Sequence, residues 1–186
     1  MRLLFLPMPM KKQHLAITLQ TDTPEQALPA FAALCAEQEC QMTEARSACF
    51  GNMTVGAFYV TGRWDAVAKL ENLLHTMAPE YNMLLQIERT TPAKYDTSLV
   101  PFSLYLTCED TPENLSLVLR FVYRRTTMIH NLTVGETTTP YTHHRLQAIS
   151  LTMLMPVDTP LAELREAFIL FCDEYNFDGI IEPERH

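Results

Sequence analysis

Hydrophobic and polar positions alternate along this chain in short blocks, with a spacing of two in some blocks and three or four in others. A spacing of two is typical of a strand with one buried face, and a spacing of three or four is typical of one helix face. For the first half this predicts a strand at 14–21, a helix from 24 to about 39, strands at 41–50 and 55–61, a helix from 62–65 to 77–79 and a strand at 82–90. The predicted order is β-α-β-β-α-β. On the second helix we expect one side, formed by Trp64, Val67, Ala68, Leu70, Leu73 and Leu74, to face the core.

The second half predicts the same order again. Its elements are a strand at 101–108, a helix from 112 to about 125, strands at 128–137 and 146–155, a helix from 160 to about 175 and a short strand from 179. A polar, proline-broken stretch separates the halves, and a threonine-rich loop at 137–144 replaces the tight turn of the first hairpin. We therefore predict a first domain at 13–91, a linker at 92–99 and a second domain at 100–184.

A short motif opens the first helix of each half. The residues Asp22-Thr23-Pro24-Glu25 recur 88 positions later as Asp110-Thr111-Pro112-Glu113, each time after an apolar strand. Threonine can cap a helix N-terminus, proline suits the first helical position, and the pair Thr23 and Gln26 has capping-box spacing. Two copies in matching contexts indicate a tandem repeat.

The repeated order predicts an α+β protein of two ferredoxin-like βαββαβ domains, each an antiparallel four-stranded sheet with both helices on one face. Such units leave an open sheet face and edge strands that favour a partner. We expect the two halves to pair side by side, or the protein to form a homodimer.

Composition and charge narrow the possible functions. Apolar residues make up 47% of the 186 residues and charged residues 19%, which is typical of a soluble globular protein. The net charge of −8 and the lack of any basic run longer than two residues argue against direct nucleic-acid binding. The apolar run at 2–6 is too short for a signal peptide, no stretch is long enough to span a membrane, and we expect the folded part to begin near Met10.

No constellation typical of catalysis occurs in the sequence. There is no glycine-rich phosphate loop, no HExxH motif and no nucleophile elbow. The five cysteines form no CxxC pair, and we expect them to pack as small apolar groups in a reducing compartment. His143 and His144 could bind a metal with His130 or Glu136, although a solvated loop tip is the simpler interpretation. We expect no catalytic residue, no metal and no cofactor.

The two Asp-Thr-Pro turns are the remaining candidate sites. A helix N-terminus offers unpaired N–H groups and a partial positive charge, which suit a carboxylate ligand. The alternative is that capping by Thr23 and Thr111 already occupies those groups. The sequence leaves both interpretations open.

Several stretches together resemble a known family. They are His14-Leu15-Ala16-Ile17-Thr18 before Asp22-Thr23-Pro24, Cys40-Gln41-Met42-Thr43-Glu44-Ala45-Arg46, Gly62-Arg63-Trp64-Asp65-Ala66-Val67 with Leu70-Glu71, and Glu88-Arg89-Thr90. A βαββαβ unit with an Asp-x-Pro turn after its first strand resembles an ACT domain. A short chain of two such units resembles the glycine cleavage system transcriptional repressor family.

The resemblance implies a non-enzymatic, cytoplasmic regulator that contacts a DNA-binding transcriptional activator and responds to glycine or another amino acid. The ligand-binding residues implied are Asp22, Thr23, Pro24, Glu25, Gln26, Gln41 and Met42, with Asp110, Thr111, Pro112, Glu113 and Asn114 in the second half. The chain carries Glu25 and Glu113 where amino-acid-binding ACT domains usually have glycine. Alternative functions are an ACT-type amino-acid sensor, or a dimerisation module, without a transcriptional role.

Overall fold

The chain forms two compact units, one from each half of the sequence. A computed structural model describes residues 12–92, 96–126, 128–138 and 145–184. The first unit contains β1 (Gln13–Thr21), α1 (Pro24–Glu37), β2 (Gln41–Phe50), β3 (Met53–Gly62), α2 (Trp64–Met77) and β4 (Met83–Thr90). The second contains β5 (Leu99–Glu109), α3 (Pro112–Tyr123), β6 (Met128–Thr138), β7 (Arg145–Pro156), α4 (Leu161–Tyr175) and β8 (Asp178–Pro183). The predicted βαββαβ order is confirmed in both halves, while the domain borders stay predictions.

Each unit has one antiparallel sheet with the first strand in its interior. The strand orders are β2-β3-β1-β4 and β6-β7-β5-β8. One edge strand of each sheet contains an irregularity at the corresponding place, between Met42 and Glu44 in β2 and between Ile129 and Asn131 in β6. A bulge inserts one residue and increases the local twist. Because its two positions are 87 residues apart, the bulge is a structural trace of the repeat.

The core of each unit lies between one sheet face and the two helices. In the first unit Leu15, Ile17 and Leu19 of β1 are buried, and in the second Phe102, Leu104 and Leu106 of β5 take the same places. These strand positions repeat at a spacing of 87, whereas the Asp-Thr-Pro turns repeat at 88. The second unit therefore has one extra residue between its last inward-facing strand residue and its first helix.

Three helix predictions need correction at the level of single residues, beginning with α2 and α1. Trp64 and Leu73 are 66% and 40% exposed and do not face the core, because the buried stripe of α2 runs through Ala66, Val67, Leu70 and Leu74. Helix α1 ends at Glu37, since Glu39 takes a left-handed conformation and the N–H of Cys40 donates to the carbonyl of Cys35 at 2.8 Å. That six-to-one bond is typical of a helix C-terminus.

Helix α4 begins one residue later than predicted. Pro160 is its N-cap residue and Leu161 its first helical residue. The hydroxyl of the preceding Thr159 donates to the carbonyl of Pro156 at 2.6 Å, so it ties the turn back to strand β7 and does not cap the helix. The strand ends otherwise agree with the sequence to within two residues.

The edge strands β2 and β6 are exposed on both faces. In β2 only Met42 is half-buried, and in β6 only Ile129 and Thr137 are. Leu132 and Val134 of β6 point to the helix side of the sheet and are still about two-fifths exposed, because the helices lie over the other three strands. None of the helices in the described ranges has the length and hydrophobicity of a membrane-spanning segment.

Candidate ligand site at the Asp-Thr-Pro turns

The first turn, residues 21–26, is held by the loop that precedes β4. Thr21 is fully buried, and its Oγ1 accepts a hydrogen bond from the N–H of Thr23 at 3.1 Å. The hydroxyls of Thr21 and Thr23 both lie within hydrogen-bonding distance of the carbonyl of Tyr81, at 3.4 and 3.2 Å. The side-chain amide of Asn82 donates to Oδ1 of Asp22 at 2.6 Å. This network fixes the carboxylate of Asp22 at the N-terminal end of α1.

The capping predicted for this helix is not formed. The hydroxyl of Thr23 points to Tyr81, and the N–H groups of Gln26 and Ala27 donate to the main-chain carbonyl of Thr23 at 3.1 and 3.0 Å. The predicted capping box between Thr23 and Gln26 is therefore wrong. In the described residues Thr111 makes no side-chain cap either. The interpretation that threonine side chains occupy these helix N-termini is contradicted in both units.

The second turn, residues 108–114, is held by a hydrogen bond from a side chain of α3, the helix that follows it. The carbonyl of Glu109 accepts from the N–H of Thr111 at 2.9 Å and from the side-chain amide of Asn114 at 2.8 Å. Cys108 takes the inward position that Thr21 occupies in the first unit, and burial raises the pKa of its thiol. Because this turn has one extra residue, Asp110 lies two positions after the last inward-facing strand residue, Cys108, whereas Asp22 lies one position after Thr21.

One residue at the second turn was not predicted from the sequence. Gln147 lies on β7 directly opposite Cys108, and its Oε1 is buried with no hydrogen-bond partner among the described residues. A buried polar atom of this kind is unusual and is satisfied by any donor that reaches it. The sequence signal is a polar residue two positions before the buried Ile149 in an alternating strand.

Gln41 and Met42 lie at the other end of the sheet from the first turn. Gln41 is opposite Thr61 of β3, and Thr61 is opposite His14, near the start of β1. Seven strand residues separate that level from Thr21, which is roughly 23 Å. A single unit therefore does not bring these two predicted groups of ligand-binding residues together.

Four of the five cysteine side chains are buried. Burial raises the pKa of Cys35 to about 12 and that of Cys172 to about 11. Packing as small apolar groups is confirmed for Cys35, Cys40, Cys108 and Cys172, but the exposed Cys49 contradicts it.

The possible metal ligands are not gathered into a site in the described part of the chain. No group of three or more His, Cys, Asp or Glu residues that could hold a metal ion occurs there. Glu136 pairs with Arg145, and His143 and His144 lie outside the described residues.

Glu25 and Glu113 are both exposed at their helix N-termini.

Comparison with solved structures identifies the fold. A crystal structure described as a "putative glycine cleavage system transcriptional repressor" matches 94% of this chain and 99% of its own, with a TM-score of 0.70 and 17% identity. An unknown protein from Galdieria sulphuraria matches 94% of this chain and 100% of its own, with a TM-score of 0.79 and 14% identity. No protein-family model and no curated protein sequence matches the chain.

These likenesses, together with two four-stranded sheets of βαββαβ order, define the architecture as tandem ACT-type, ferredoxin-like units. At identities below 20% a structural match establishes the fold only, and the function has to be argued from the site.

Proposed function

We propose that this protein is a non-enzymatic, cytoplasmic regulator that represses glycine cleavage genes by contacting a DNA-binding transcriptional activator. The observation that carries the proposal is the end-to-end match with the structure described as a glycine cleavage repressor, which covers both units of this chain. The net charge of −8 favours contact with a protein over contact with DNA.

We further propose that the two turns bind glycine or another small amino acid. At the first turn the carboxylate of Asp22 suits the ligand's ammonium group, and the N-terminal end of α1 suits its carboxylate. At the second turn the unpaired oxygen of Gln147 is a further acceptor for an ammonium group.

Calorimetric titration of the full chain with glycine and a panel of amino acids tests the sensing role. We expect saturable binding that weakens in Asp22→Asn and is unchanged in Asp158→Asn, where the same substitution is made at the third Asp-Thr-Pro sequence. No heat change across the panel, or equal loss in both variants, would contradict amino-acid binding at the first turn.

Capture of the activator tests the transcriptional role. We expect the full chain to retain the DNA-binding activator of the glycine cleavage genes from a cell extract, and glycine to release it. If the purified activator does not bind in the presence or absence of glycine, the repressor function is wrong even when the chain binds amino acids.

A second candidate function is a dimerisation module without a transcriptional role. Strands β2 and β6 favour it, because both are edge strands that are exposed on two faces. Sedimentation of the full chain checks this possibility. A ligand-independent dimer that binds neither amino acids nor the activator would support it.

A further inference from the structure

We propose that the groove between α3 and α4 of the second unit is a docking site for an acidic, amphipathic helix of a partner protein. The proposal rests on the proposed function, because it names the surface through which a regulator of this kind would hold its partner. The groove has a volume of about 400 Å³. We call it the Arg120 groove, and its lining includes Leu117, Arg120, Arg124, Leu170 and Tyr175.

The charge of the Arg120 groove is opposite to that of the whole protein. The chain carries a net charge of −8, yet three arginines line this groove against a single glutamate, Glu174. Arg120 and Arg124 are one helical turn apart on α3 and both exposed. In the described part of the chain neither of them forms an ion pair or a side-chain hydrogen bond. A concentrated basic patch on an acidic protein attracts an acidic partner.

Arg125, the third arginine of the groove, has a structural contact that Arg120 and Arg124 lack. The guanidinium of Arg125 donates to the carbonyl of Phe121 at 3.1 Å and lies 4.0 Å from the centre of the Phe121 ring. It therefore closes the C-terminal end of α3, as a cation at that position does in many helices. Arg120 lies in the last turn of α3 and Arg124 is its C-cap residue, but in the described residues neither side chain donates to a main-chain carbonyl as Arg125 does.

Apolar side chains beside the arginines complete the surface. Leu170 is 63% exposed and Tyr175 is 38% exposed on α4, and Leu117 is half-buried on α3. Phe171 forms the floor, with its ring stacked on Phe121 at 4.5 Å between centres. Aromatic and arginine side chains around a rigid floor are typical of interface hot spots. An apolar helix face flanked by carboxylates fits this groove better than a phosphate backbone, which has no apolar face.

The first unit provides the internal comparison. Counted from the proline that opens the first helix of each unit, the positions of Arg120 and Arg124 are occupied by Ala32 and Ala36 in α1. The repeat has therefore kept the fold in both units and placed the basic pair in one of them. A general requirement of the fold would place basic residues at both positions.

Fluorescence anisotropy with a defined probe tests the Arg120 groove directly. The probe is a labelled 20-residue helical peptide with leucine on one face and glutamate on the flanks, measured beside the same peptide with lysine for glutamate and a 20-base-pair DNA duplex. We expect the full chain to bind the glutamate peptide, with affinity that falls as salt rises, and to bind the lysine peptide at least tenfold more weakly.

Charge reversal identifies the residues. The double variant Arg120→Glu with Arg124→Glu should lose at least tenfold in affinity for the glutamate peptide, while Arg165→Glu, an exposed arginine on α4 outside the groove, should leave it unchanged. Equal binding by the double variant, or equal binding of both peptides, would overturn the proposal. Tighter binding of the duplex, lost in the double variant, would assign the groove to nucleic acid instead. Because the peptides contain no activator sequence, a failure here is separate from a failure of the repressor function.

Discussion

Replacement of Thr21 by valine removes one buried hydroxyl from the network that holds the first Asp-Thr-Pro turn. Valine keeps the shape of threonine, so the change leaves packing nearly intact and deletes hydrogen bonds. The N–H of Thr23 then loses its acceptor, and the carbonyl of Tyr81 keeps only the hydroxyl of Thr23. Leaving this partly buried donor without a partner costs about 1–3 kcal/mol.

Urea denaturation followed by tryptophan fluorescence measures this loss of stability in the first unit, which contains Thr21. Trp64 is the protein's single tryptophan and lies at the start of α2 in the first unit. With a urea dependence of about 1 kcal/mol per molar for a unit of this size, the unfolding midpoint of Thr21→Val should fall by roughly 1–3 M. Far-ultraviolet circular dichroism on the same samples reports the second unit as well.

Two further variants separate the hydroxyl from other effects. Thr21→Ser keeps the hydroxyl and loses one buried methyl group, so we expect a loss of about 0.8 kcal/mol. Thr18→Val makes the same chemical change on the exposed face of β1 and should lie within about 0.5 kcal/mol of the wild type. If Thr21→Val unfolds at the same midpoint as Thr18→Val, the hydrogen bonds of Thr21 do not stabilise the turn and the reasoning is refuted.

Three other perturbations have defined outcomes. The hydrogen bond from Arg63 lowers the pKa of Asp65 to about 2, so the ionised carboxylate stabilises the fold above about pH 4 and this contribution is lost as the pH falls through 2. The urea midpoint of Asp65→Asn should therefore depend less on pH across that window than the wild-type midpoint does. An unchanged pH profile would contradict the pairing. A methyl group added in Gly179→Ala would lie 2.8 Å from a main-chain oxygen of β5, so thermal unfolding should show a loss of about 1–3 kcal/mol, whereas Gly135→Ala, with open space around it, should be near neutral. Cys49 is the exposed cysteine of the described chain, so a thiol reagent should label it first, and a rapid phase that persists in Cys49→Ser would mean that a buried thiol is accessible.

The sequence predicted the fold well because both of its signals are local. Alternation in β1 and the three-to-four spacing in α1 report the buried face of each element directly, and the proline of each Asp-Thr-Pro motif marks a helix start. Trp64 was placed wrongly because hydrophobicity alone does not say where a buried stripe is centred. Ala66, two residues further along α2, is buried instead.

The candidate site was predictable in its position and not in its bonding. The capping box failed because its threonine found a different partner, the carbonyl of Tyr81, which lies 58 residues away in the chain. Local spacing carries no information about such a distant acceptor. The unpaired oxygen of Gln147 was missed for the same reason, because only strand pairing brings it beside Cys108.

The sequence by itself determined the tandem repeat, because one motif recurs after 88 residues. It also determined the element order, the acidic charge and the two turns, since each follows from composition or from spacing within about twenty residues. Tertiary structure alone decided that Gln41 lies at the far end of the sheet from Asp22, because strand direction is set by pairing with β3. It also decided that Arg120 and Arg124 line a groove with α4. Packing of two helices on one sheet creates that surface, and no single helix contains it.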